Sequence, residues 1–163
     1  MTLKRTLAGV ALVAATAITL SACATDAPAS DVNAATATDI SAFGDLAGLE
    51  AAAKAEGALN VIALPRDWAN YGEILDLFAE RYPEITINEA SPDASSAEEI
   101  QAAESLAGQD TAPDVFDIGL AVALANTDQF APYKVENWAD IPDALKESTG
   151  LFVGDYGGYM SVG

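Results

Sequence analysis

The chain has 163 residues with 7 basic and 25 acidic side chains, no histidine, a single cysteine and a net charge of −18. That charge argues against nucleic acid as a partner, because phosphate binding needs clustered Lys and Arg. The absence of histidine excludes imidazole catalysis and histidine metal ligation, and one cysteine permits no intramolecular disulfide.

Lys4 and Arg5 precede an uncharged run from Leu7 to Leu20, the basic start and apolar stretch of a secretory leader. The run is shorter than the about 20 apolar residues of a membrane span. Leu20-Ser21-Ala22-Cys23 follows. Its small residues let a processing peptidase hold the backbone extended, and the thiol behind them can take a diacylglyceryl group. The pattern resembles a bacterial lipoprotein lipobox, which implies cleavage after residue 22, lipid on Cys23 and an extracytoplasmic location, at the outer face of the cell membrane or in the periplasm. Losing Lys4 and Arg5 with the leader takes the net charge to −20. Such acidity mainly serves solubility, and it also gathers cations at the surface.

Residues 24–42 are small and polar and read as a tether. Leu46 to Glu56 reads as a helix ended by Gly57, and Leu59-Asn60-Val61-Ile62-Ala63-Leu64 as a buried strand stopped by Pro65. Tyr71, Ile74, Leu75, Phe78 and Tyr82 recur at helical spacing up to Pro83, and Ile85 to Asn88 is a short second strand. Ser95 and Ser96 each precede a Glu by three positions, the capping-box arrangement for a helix through about Leu106 with Gly108 behind it. Val115-Phe116-Asp117-Ile118 reads as a third strand, and the Ala-rich segment from Gly119 to Asn126 as a helix. Lys134 to Thr149 is irregular with a helical turn around Ala144, and Tyr156 to Val162 reads as a final strand. Strands and helices in alternation with short links predict an α/β class with a largely parallel open sheet and flanking helices.

The sequence holds no calcium-loop pattern, glycine-rich phosphate loop or nucleophile elbow. No enzyme, cofactor or metal site is implied. In open parallel sheets ligands bind beyond the carboxyl ends of the strands, so the candidate site lies on the loops that leave those ends. The loop after the first strand offers Asp67 as a carboxylate and Trp68 and Tyr71 as aromatic faces, which attract a protonated amine by about 0.5 to 2 kcal/mol; the two rings could equally cap the core. Ser95 and Ser96 follow the second strand and either cap the next helix or face the ligand. Gly119-Leu120-Ala121 presents backbone N–H groups, Asp155 with Tyr156 is a further pair, and Asp117, inside a strand, reads as structural.

Leu49-Glu50-Ala51-Ala52-Ala53-Lys54-Ala55-Glu56-Gly57, Asp67-Trp68-Ala69-Asn70-Tyr71-Gly72-Glu73, Pro113-Asp114-Val115-Phe116-Asp117-Ile118-Gly119, Ala131-Pro132-Tyr133-Lys134, Trp138-Ala139-Asp140-Ile141-Pro142 and Gly154-Asp155-Tyr156-Gly157-Gly158 stand in this order behind the lipobox. Together they resemble the extracellular solute-binding proteins of ABC importers, in the group that includes polyamine, ferric-iron and thiamine binders. The resemblance implies a type II periplasmic-binding-protein fold whose two lobes close on a small solute and deliver it to a permease with its ATPase. It divides the chain into a leader at 1–22, a lipidated cysteine and tether at 23–45, and a partial solute-binding domain at 46–163. That domain matches the N-terminal part of lobe one, for which exposed apolar edges are expected. First contacts are expected from Asp67, Trp68, Tyr71, Ser95, Ser96 and Tyr156, with a polyamine or other small organic cation favoured. The alternative is a surface lipoprotein acting as an interaction or structural module with no transported ligand.

Overall fold

A computed structural model describes residues 33–155 of the chain. The leader, Cys23, the tether up to residue 32 and the expected final strand at 156–162 lie outside the described residues.

Helix α1 spans Leu46–Glu56, with the Asp45 carboxylate accepting the Gly48 N–H at 2.9 Å as its N-cap. Gly57, at φ 76°, ends it in the left-handed conformation that glycine adopts without steric cost. Strand β1 (Ala58–Ile62) follows, then helix α2 (Tyr71–Arg81), strand β2 (Thr86–Ala90), helix α3 (Ser96–Leu106) and the short helix α4 (Leu120–Ala125). β1 and β2 pair in parallel from Ala58↔Thr86 to Ile62↔Ala90. The fold is thus mixed helix and strand around a small open parallel sheet.

β1 is central. Val61 pairs with Glu89 on one side and is bridged in parallel to Val115 on the other. Its last residues Val61 and Ile62 and the following Ala63 and Leu64 are all buried, as a strand covered on both faces requires. Val61, Leu64 and Leu75 form the core cluster, with Leu59, Tyr71 and Ile87 packed against it. Burial of each large apolar side chain contributes about 1.5–3 kcal/mol, so this β1–α2 layer fixes where the chain leaves the sheet after residue 62.

The third strand expected at Val115 to Ile118 is reduced to the single bridge at Val115. The cause lies in its hydrogen bonds. Asp114 holds Asn60 from both directions: its N–H donates to the Asn60 carbonyl and its carboxylate accepts the Asn60 N–H, both at 2.8 Å. Two residues beyond the bridge, the Asp117 N–H donates to the side chain of Glu99 instead of to a strand. The ladder therefore stops after one rung.

The segment before α1 also differs from expectation. Ala34–Thr36 and Ile40–Phe43 are 3₁₀ turns, and Asp39 is bridged in parallel to Lys134, whose N–H donates to the Thr38 carbonyl at 2.8 Å. Thr38 and Asp39, placed in the tether from composition, are paired to the domain through Lys134. Beyond α4 the chain has 3₁₀ turns at Thr127–Gln129, Trp138–Asp140 and Asp143–Leu145 and an antiparallel bridge Lys146↔Val153. Phe130 stacks edge-on with Phe116 and Phe152, which joins this region to the Val115 segment. Ile74, Leu77, Leu120 and Leu124 are each more than half exposed.

Candidate functional site

Beyond the carboxyl ends of β1, β2 and the Val115 segment lies a cleft of about 590 Å³. Its position follows from the strand order. β2 and the Val115 segment flank β1 on opposite sides, so the connections from their ends diverge and leave a crevice. The first loop contributes Ala63, Pro65 and Trp68, the second Pro92 to Ser96, and the third Asp117 to Leu120. Glu99 from α3 and Asp155 complete the lining, which among the described residues contains four carboxylates, Asp93, Glu99, Asp117 and Asp155, and no Lys or Arg.

The first loop is tightly held. Pro65 accepts the Trp68 N–H at 3.1 Å and Trp68 accepts the Tyr71 N–H at 3.0 Å, so two turns carry the chain into α2. Arg66 donates to both oxygens of Glu89 on β2, the closest at 2.7 Å, and to Asp76 on α2 at 2.8 Å. These bonds to two carboxylates hold its guanidinium charged and neutralise the basic residue of the loop. Gly72 donates its N–H to the Arg66 carbonyl at 3.1 Å, and a Cβ built there would lie 2.5 Å from that oxygen. Only glycine lets the loop fold this closely over the start of α2.

Trp68, 52% exposed, lines the cleft and meets Tyr71 edge-on with ring centres 6.2 Å apart. Tyr71 itself does not line the cleft. Its ring packs on the core cluster and its hydroxyl donates to the Asp117 carboxylate, so it supports the cleft from behind. Asp67 is exposed and outside the lining, because the turn from Pro65 places it at the outer corner and brings Trp68 to the cleft.

Ser95 and Ser96 both line the cleft, but their hydroxyls have structural partners. The Ser95 N–H and hydroxyl donate to Glu98 at 2.8 and 2.7 Å, in the capping arrangement expected for the start of α3. The Ser96 hydroxyl oxygen accepts the Gly119 N–H at 3.0 Å, which ties α3 to the third loop and occupies one of the N–H groups expected to meet a ligand. Tyr156 lies outside the described residues. Of the six expected contact residues, the cleft therefore brings together Trp68, Ser95 and Ser96.

Two lining residues carry more of the chemistry than the sequence reading assigned them. Glu99, read as part of a cap, is 1% exposed and takes the Asp117 N–H at 3.2 Å. Burial pushes its carboxyl up to about 7; the bond from Asp117 opposes the shift and the Asp117 charge adds to it. Asp117, read as structural within a strand, faces the cleft instead. A signal for Glu99 was present. Glu98 and Glu99 are adjacent in one helical turn, so only one can return to the cap, while Glu99 shares a face with Ser96, Ile100 and Ala103 that turns inward.

Comparison with protein-family models and with curated proteins finds no match to this chain.

Proposed function

We propose that this chain is the extracytoplasmic solute-binding component of an ABC importer, held at the membrane by lipid on Cys23. It captures a small organic cation, a polyamine in the first place, for a permease and its ATPase, and it acts as a binding protein and not as an enzyme. In this reading the sheet and its helices correspond to the N-terminal part of lobe one of a type II periplasmic-binding-protein fold. The observation that carries the proposal is the cleft at the carboxyl ends of parallel strands, lined among the described residues by four carboxylates and the half-exposed ring of Trp68 without a basic residue. Carboxylates offset the charge of a cation, and the indole face meets its ammonium or methylene groups.

Thermal unfolding of the full chain with spermidine, 1,4-diaminobutane, thiamine, ferric citrate and maltose tests this. A ligand at a hundred times its Kd stabilises by about 2.7 kcal/mol, so an amine is expected to raise Tm by several degrees. Stabilisation by maltose alone would overturn the cationic preference. The exposed Leu120 and Leu124 on α4 favour one other reading, a lipoprotein that serves as an interaction module. Under that reading no solute in the series shifts Tm.

A further inference from the structure

We propose that Glu99 anchors a primary ammonium group of the solute at the floor of the cleft, its Oε1 receiving the ligand while Oε2 stays on the backbone of Asp117. This inference rests on the solute-binding reading above.

Glu99 is 1% exposed, and its Oε2 takes the Asp117 N–H at 3.2 Å. Among the described residues Oε1 takes no hydrogen bond, yet no fully enclosed side-chain oxygen lacks a partner. The little exposure Glu99 retains therefore belongs to Oε1, and it opens onto the cleft that Glu99 lines. A carboxylate withdrawn from water is costly until it meets a cation or donor. Among the described residues no such partner comes from the elements around it. Asp117, which accepts the Tyr71 hydroxyl, faces it from the third loop, and Asp93 and Asp155 lie along the same cleft. Glu98, its neighbour on α3, is turned to Ser95, and the basic residue of the first loop, Arg66, is bonded to Glu89 and Asp76. The charge that completes this site is thus supplied by the ligand.

The site's chemistry selects an ammonium over a metal ion. Among the described residues no three acidic or cysteine side chains converge closely enough to hold a metal. An alkylammonium needs fewer oxygens, and its methylenes suit the apolar lining from Ile118 and the ring of Trp68.

Proton release follows. With its carboxyl raised to about 7, Glu99 is partly protonated at neutral pH, and an arriving ammonium expels that proton to the solvent. Cation affinity should therefore rise with pH by up to about tenfold per unit below 7 and level off above it.

The test is calorimetric titration of the full chain with 1,4-diaminobutane at pH 6 and pH 8, in buffers of different ionisation enthalpy, beside Glu99→Gln. Binding by the wild type with proton release at pH 6, together with at least tenfold weaker and pH-independent binding by the variant, supports the inference. Equal affinity and equal pH dependence in the two proteins overturn the role of Glu99 and leave the solute-binding reading standing. Wild-type affinity that falls as pH rises overturns it as well. Thermal stabilisation by maltose with no response to any amine overturns the anchor and the cationic preference and leaves solute binding standing, while no response to any solute overturns both the anchor and the solute-binding reading. Carbon-13 NMR of Glu-labelled wild type reads the same point without a variant. Saturating diamine must lower the midpoint of one raised Glu carboxyl, and an unmoved midpoint refutes the anchor.

Discussion

Replacing Glu99 by Gln should stabilise the ligand-free protein at alkaline pH and leave it nearly unchanged in mild acid. The side chain is 1% exposed, and its carboxyl is raised from 4.5 to about 7 by burial. Between these values the folded state holds a proton that the unfolded state has released, so wild-type stability falls as pH rises through the window. Above pH 7 both states are ionised and the folded state bears the full cost of an unpaired buried charge. A shift from 4.5 to about 7 corresponds to about 3 kcal/mol, an upper value because water entering the cleft relaxes part of it. Gln keeps the oxygen that accepts the Asp117 N–H and cannot ionise, so it avoids this cost. Urea denaturation at pH 5 and pH 8 reads the difference. The variant midpoint should exceed the wild-type midpoint at pH 8 by on the order of 1–2 M, with the gap closing by pH 5. A variant less stable than wild type at pH 8, or a gap independent of pH, would show that the carboxylate is compensated within the fold and would refute the reasoning.

Three further substitutions probe the frame of the cleft. Gly72→Ala places a Cβ against the Arg66 carbonyl and should destabilise by about 1–3 kcal/mol as the Trp68 loop lifts; an unchanged urea midpoint would show that the loop is held elsewhere. Tyr71→Phe removes the hydroxyl that donates to Asp117 and should cost about 1–2 kcal/mol, read from the same denaturation curves. Ser95→Ala opens the cap of α3 at a cost of about 1 kcal/mol, and amide hydrogen exchange should quicken in the first turn of α3 before it does in α2.

The helices were legible because their signals are local. Gly57 ends α1, Pro83 follows α2, and Ser95–Glu98, one of the two Ser–Glu pairs that the spacing offered, opens α3. The cleft's location was also legible, since a parallel alternation places it beyond the strand ends. What stayed hidden was set at a distance. Thr38 and Asp39 look like tether by composition, yet they pair through backbone groups with Lys134, and backbone pairing leaves no mark on the side-chain pattern. Asp67 stands in the first loop and Tyr71 opens α2, but which side chain of this stretch reaches the cleft is decided by two turns and by the Gly72 approach to Arg66.

The short third strand and the buried acid have one physical origin. Val115 is in register with Val61, and continued pairing would have drawn Phe116 to Ile118 along the edge of β1. Glu99 takes the Asp117 N–H, and Ser96 from the same turn of α3 takes that of Gly119, so two alternate backbone donors turn toward the helix. In a strand, alternate residues send their N–H groups to the same edge, so those two bonds satisfy the groups that a ladder on that edge would have used. The segment is thereby bound to α3 beside the cleft, and Asp117 is brought to the lining with its carboxylate braced by Tyr71. Extending the sheet would have satisfied the same donors without burying a carboxyl. The exchange of ladder bonds for bonds to α3 is therefore what gives the cleft both its opening and its charge.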